Sequence, residues 1–191
     1  MNTELRWNFP LPRTHTGIPL GNGRTGLLLW GEGRRLCVTI GRADLWDHRG
    51  GMPWTERQNY RDIRSALEAG DEAAIRDLFE PAHDAPAGTP ARPTVLPFGR
   101  IELELVDGCR LTHGVLSLTD AVVTVHYARG RATGSIEILL HPERDIALMR
   151  RTGDVARIVP VTSWDLMREK LERVGHAAPR QLESEGLSGW Y

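Results

Sequence analysis

The 191-residue chain is poor in several things at once, and each shortage narrows what it can be. It has two cysteines, Cys37 and Cys109, far apart and without the paired spacing of a metal site. Each lies in an apolar stretch and reads as a buried thiol. Its seven histidines form no H-x-x-x-H or H-E-x-x-H pattern and have no cysteine companions, so no metal site is expected. Lysine occurs once, at Lys170, so arginine supplies the other 23 of 24 basic residues, scattered singly. With a net charge of -1 and no basic stripe, nucleic acid is excluded as a partner. No run of about 18 apolar residues occurs, so no membrane span is expected. The opening MNTELRWNFPLPR lacks the apolar core of a signal peptide. The chain as written therefore reads as cytoplasmic, and as extracellular or periplasmic if a leader precedes it.

The periodicity that is present is mostly that of strands. Residues 26–40 run apolar, turn, apolar (LLLW, GEGR, LCVTI), a hairpin pattern. A polar, aromatic loop is expected over 42–55. Tyr60, Ile63 and Leu67 recur with helical spacing, Gly70 is a stop, and Asp71 caps a second helix carrying Ala74, Ile75, Leu78 and Phe79. Together these make a helical insertion over about 57–80. Five prolines between Pro81 and Pro97 then predict an irregular connection over 81–97. Beyond it the period becomes two: Ile101, Leu103 and Leu105 alternate with Glu102 and Glu104, which face solvent. Strands follow at Val115–Leu118, Val122–Tyr127, Ser135–Leu140, Ile146–Arg151 and Ala156–Val161, with turn signals at Gly108, Gly130 and Gly153. Ser163 caps a helix through Val174, whose apolar stripe docks on its own domain. The final stretch, APRQLESEGLSGWY, shows no clear element, and its abrupt aromatic ending suggests a truncated chain. The expected fold is mainly β: one antiparallel sandwich over 1–191, with the short helical insertion.

GNGRTG, Gly21 to Gly26, matches the dinucleotide-binding glycine spacing, and Asp44 lies where a ribose-binding acid is expected. That chemistry needs a strand before and a helix after. Pro19 and the following hairpin deny both, and without an accompanying lysine a kinase-type glycine loop fails too. The segment reads as a turn. Asn22 and Gly23 tolerate positive φ, and Gly21 and Gly26 let the backbone pass close to a neighbouring strand.

The run GIPLGNGRTGLLLWGEGRRLCVTIGRADLWDHRGG resembles the opening of glycoside hydrolases of the α-L-fucosidase type, with their "P-[LI]-G-N-G-R-x-G" turn, hairpin and "D-x-L-W" or "D-x-W-D" segment. LPFGRIELEL, LSLTDAVVTVHYARG and SIEILLHPERDIALMRR continue the likeness, which spans about residues 17–155. DLWDHRGG departs from the commoner wording, and His141 stands where serine is frequent; the sugar stays unassigned, and a neighbouring hydrolase family sharing this domain fits equally. The resemblance implies an amino-terminal super-β-sandwich (galactose-mutarotase-like), incomplete here, ahead of an (α/α)6 barrel that carries the catalytic residues. No catalytic residue then maps onto this chain, and no cofactor is implied. The function implied is a non-catalytic domain that braces the barrel and borders its sugar cleft. A free-standing carbohydrate-binding module and a protein-interaction domain are the alternatives.

The residues best suited to touch sugar lie in ADLWDHRGGMPWTE. Trp46 and Trp54 offer broad faces, while Asp47 and His48 (with Arg49) offer hydrogen bonds to hydroxyls. A plainer reading puts Trp46 under the sandwich and the charged residues in solvent. The possible carboxylate pairs (Asp44 with Asp47, Glu137 with Glu143, Glu102 with Glu104) have no reason to face one another across a cleft.

Overall fold

The computed structural model describes residues 3–47, 58–79, 94–153, 155–173, 176–184 and 187–190. They divide into two compact units, one formed by Met1–Leu45 with Val95–Tyr191 and one by Trp46–Thr94.

The first unit is an antiparallel β-sandwich. One sheet runs in the order β1 (Glu4–Asn8), β6 (Arg110–Ser117), β7 (Val122–Arg129), β8 (Ala132–Leu140), β9 (Ala147–Thr152). The other runs β10 (Val155–Thr162), β5 (Thr94–Leu105), β4 (Arg35–Asp47), β3 (Thr25–Glu32), β2 (Ile18–Gly21). Strict alternation explains the pairing of layers, because every second residue of a strand points to the same side. Val123 and Val125 of β7, Ile136 and Ile138 of β8, Leu27 and Leu29 of β3, and Leu103 and Leu105 of β5 interdigitate in one core. Each fully buried aliphatic side chain contributes about 1.5–3 kcal/mol. Tyr127 is the large exception to this aliphatic lining. Its hydroxyl donates to the Thr152 carbonyl at 2.7 Å, and Gly134 leaves the space its ring occupies, where a Cβ would collide with it.

The second unit holds α1 (Tyr60–Ala69) and α2 (Glu72–Phe79). Asn59 accepts from the Asp62 amide, Gly70 ends α1 in the left-handed conformation (φ 65°), and Asp71 accepts from the Ala74 amide at 2.9 Å, as its capping role predicts. The expected apolar stripe of α1 is not a buried one: Tyr60 is 77% and Leu67 65% exposed, while Ala66 is buried.

Several boundaries differ from the sequence reading. Arg42–Asp47 continues β4 instead of starting a loop, because pairing with β3 extends the ladder to Arg42 opposite Thr25. The proline-rich connection stops short of Pro97, since β5 begins at Thr94. Pro97 is tolerated because the ladder with β10 starts only at Gly99 opposite Thr162. The cap of α3 (Ser163–Arg173) is Thr162, not Ser163: its hydroxyl accepts from the Asp165 amide while the Asp165 carboxylate accepts from the Thr162 amide. That carboxylate is held below its usual range, chiefly by the Thr162 hydroxyl. The tail carries a hairpin, β11 (Gln181–Ser184) and β12 (Leu187–Trp190), where the sequence showed no element. Cys37 is in β4 as expected, but Cys109 sits in the turn before β6; both are buried and neither forms a disulfide.

Candidate functional site

Of the residues proposed to touch sugar, the structure describes Trp46 and the backbone of Asp47. Trp46 is the penultimate residue of β4 and 45% exposed. Asp47 closes that strand, and its side chain lies outside the described residues, as do His48 and Trp54.

The turn from Gly21 to Gly26 is better defined. Only Gly23 uses positive φ (88°); Asn22 works through its side chain. Its carbonyl oxygen accepts from the Arg24 and Thr25 amides at 3.1 and 2.8 Å, which closes the turn. Its amide group donates across the sandwich to the His141 and Arg144 carbonyls at 3.0 and 3.2 Å. Beside it Asp145 accepts from the Thr25 hydroxyl at 2.7 Å, from Arg24 Nε at 3.0 Å and from Arg42 at 2.9 Å. These partners, the Thr25 hydroxyl first, hold the Asp145 carboxyl below the ordinary range. Arg42 also grips Asp44 in a two-point pair that lowers the Asp44 carboxyl and raises the guanidinium. The close-approach role assigned to Gly21 and Gly26 does not hold, since a Cβ on either would meet nothing nearer than 3.7 Å. That role belongs to Gly31, where a Cβ would run into the Arg35 carbonyl.

His141 earns its place in this junction. Its Nδ1 accepts from the Glu143 and Arg144 amides at 3.1 and 3.2 Å. A serine hydroxyl can accept from following amides in the same way.

Two concavities lie elsewhere in this unit, away from the turn. On the outer face of the second sheet, Trp30, Arg35, Arg100, Glu102 and Glu104 line a recess of about 360 Å³. The Trp30 indole donates to Thr39 at 2.9 Å, and the Arg100 guanidinium lies 5.4 Å from its ring centroid. Glu102 pairs with Arg100 at 2.5 Å and Glu104 with Arg157 at 3.4 Å. Both glutamates are on the outer face as expected, yet largely covered, at 14% and 18% side-chain exposure. The recess is thus an ion-pair mesh built on a tryptophan, with Cys37 beneath it. Burial pushes that thiol up to about 11, which leaves it unreactive at neutral pH. The second concavity, of about 550 Å³, lies between α3 and the end of the second sheet, lined by Ile40, Phe98, Ile101, Trp164, Leu171 and His176.

No protein-family model matches the chain, and no curated protein matches its sequence. Among the described residues no three histidine, cysteine or acidic side chains group as a metal site, and no helix is long and apolar enough to cross a membrane.

Proposed function

We propose that this chain is the non-catalytic β-sandwich domain of a glycoside hydrolase of the α-L-fucosidase type, and that it braces a helical catalytic barrel and borders its sugar cleft. One observation carries the reading. GNGRTG and HPERD, two segments on which the resemblance rests, meet in space although 119 residues separate Asn22 from His141. The polar side chains of that turn are spent on holding the two sheets together: Asn22 on backbone carbonyls, Arg24 and Thr25 on Asp145. A motif used in this way serves scaffolding, and leaves bond cleavage to another part of the protein. Leu148, Met149 and Ile158, exposed on the end strands β9 and β10, supply apolar area for a neighbouring domain.

The test is an activity assay of the chain against aryl α-L-fucosides and a wider glycoside panel, together with reading the coding frame past Tyr191. No turnover is expected from the chain, and the frame is expected to continue into a helical barrel. Turnover abolished by one carboxylate substitution within these residues defeats the proposal.

The recess at Trp30 favours a second reading, a carbohydrate-binding module whose platform is Trp30 instead of Trp46 and Trp54. It requires that Trp30→Ala abolish retention on a glycan array while the fold persists.

A further inference from the structure

His113 and His126 are 13 positions apart, a spacing that suggests no metal motif. The β6–β7 ladder places them directly opposite each other on the outer face of the first sheet. Their rings stack with centroids 4.4 Å apart and planes 15° from parallel, and both are half-buried, open to solvent on one side. Asn8 of β1 and Ser135 of β8 continue the same row across the sheet. Burial first, then His126 and the nearby Arg6 guanidinium on β1, disfavours the charged form of His113.

The hydrogen bonds fix the proton on one ring. Thr112 has a single hydroxyl proton and donates it to the His126 carbonyl at 3.0 Å. Its contact with His113 Nδ1, at 3.1 Å, must therefore run the other way, with Nδ1–H donating and the Thr112 oxygen accepting. The Nε2 lone pair of His113 is then left available. A histidine whose second nitrogen donates to a protein oxygen is the arrangement that orients an imidazole for metal binding.

We infer that His113 and His126 form a two-imidazole chelate for a borderline divalent cation such as Zn2+, Ni2+ or Cu2+, with water completing the coordination. Imidazole suits these ions, whereas Mg2+ and Ca2+ prefer oxygen. Nitrogens binding one ion at about 2.0–2.1 Å must approach to about 3 Å. Stacked rings hold their in-plane lone pairs nearly parallel, so binding one ion requires the two side chains to splay until the nitrogens converge, as directly opposed residues on a sheet allow.

The measurement is a titration of the full chain with ZnCl2 or NiSO4, followed by calorimetry and by the imidazole resonances. One equivalent is expected to bind with both rings perturbed together, and His113→Phe or His126→Phe to weaken binding about tenfold or more. Phenylalanine preserves a flat ring on the sheet, and an unchanged near-UV circular dichroism spectrum shows that the fold is kept. His15→Ala is expected to leave the affinity unchanged. Failure of either imidazole to respond at ~1 mM ion, or loss of binding in only one of the two phenylalanine variants, overturns the chelate. Activity plays no part in the readout, so the result stands apart from the glycoside hydrolase proposal.

Discussion

The Thr25 hydroxyl donates to the Asp145 carboxylate at 2.7 Å, joining the start of β3 in one sheet to the β8–β9 connection of the other. Thr25 is the buried polar residue at the strand end, 6% exposed, and Asp145 answers it together with two arginines. The sandwich is therefore pinned at this corner by directional bonds as well as by its core.

Removing the pin from the turn side should loosen both sheets. Asn22→Ala forfeits two hydrogen bonds to carbonyls and two from amides, and at net values of about 0.5–1.5 kcal/mol per bond should cost roughly 1–3 kcal/mol, because part of the loss is recovered from water. A lowered urea midpoint with unchanged slope is the expected result.

The same corner makes stability depend on acid. Asp145 has a folded-state value below its unfolded one, so its contribution is fully present above the unfolded carboxylate value of about 3.9 and is lost as pH falls through the lowered folded value. Asp145→Asn should be less stable than the parent at neutral pH, with the gap closing in acid below about pH 4. Thermal melts across that range measure it; a gap that widens in acid contradicts the assignment.

Gly134→Ala places a methyl group in the volume of the Tyr127 ring and against the Thr152 carbonyl. Overpacking of this kind costs about 1–3 kcal/mol. Tyr127→Leu made in the same chain should relieve part of the penalty, a coupling that a double-mutant cycle in chemical denaturation detects.

The α3 cap offers a separate, local test. Thr162→Ala removes the hydroxyl that accepts from the Asp165 amide and should destabilise the domain by about 0.5–2 kcal/mol, while Thr162→Ser should retain most of it.

Cys37 should react slowly with a disulfide reagent in the native protein at neutral pH, then promptly once urea unfolds it. Burial both shields the sulfur and keeps it protonated up to about 11. Fast labelling of Cys37 in the native Cys109→Ser variant would contradict this burial.

Much of the architecture can be read along the chain, because strand character and turn position are local properties. Alternation at Ile101–Leu105 and Val122–Tyr127 marks strands whose inner residues are buried, or partly so at Ile101, and Gly108, Gly130 and Gly153 all take the positive φ their turn signals imply. The cap at Asp71 is legible for the same reason, being a bond between residues three apart, whereas the Asn59 cap is seen only in the structure. Short segments with weak patterns, such as β1 and the β11–β12 hairpin, escape this reading because their pairing partners supply most of the ordering.

The candidate sites follow a different logic. Nothing in the order of residues ties Asn22 to His141, sets His113 against His126, or lays Arg100 over Trp30. Period two tells which side of a strand a residue occupies, but not which strand lies next to it or in what register. A one-residue slip would send every outward group inward. Those choices are made by closing the core over all its strands at once, so the chemistry of the outer faces is a consequence of packing, while the strands and turns themselves are written in the local pattern.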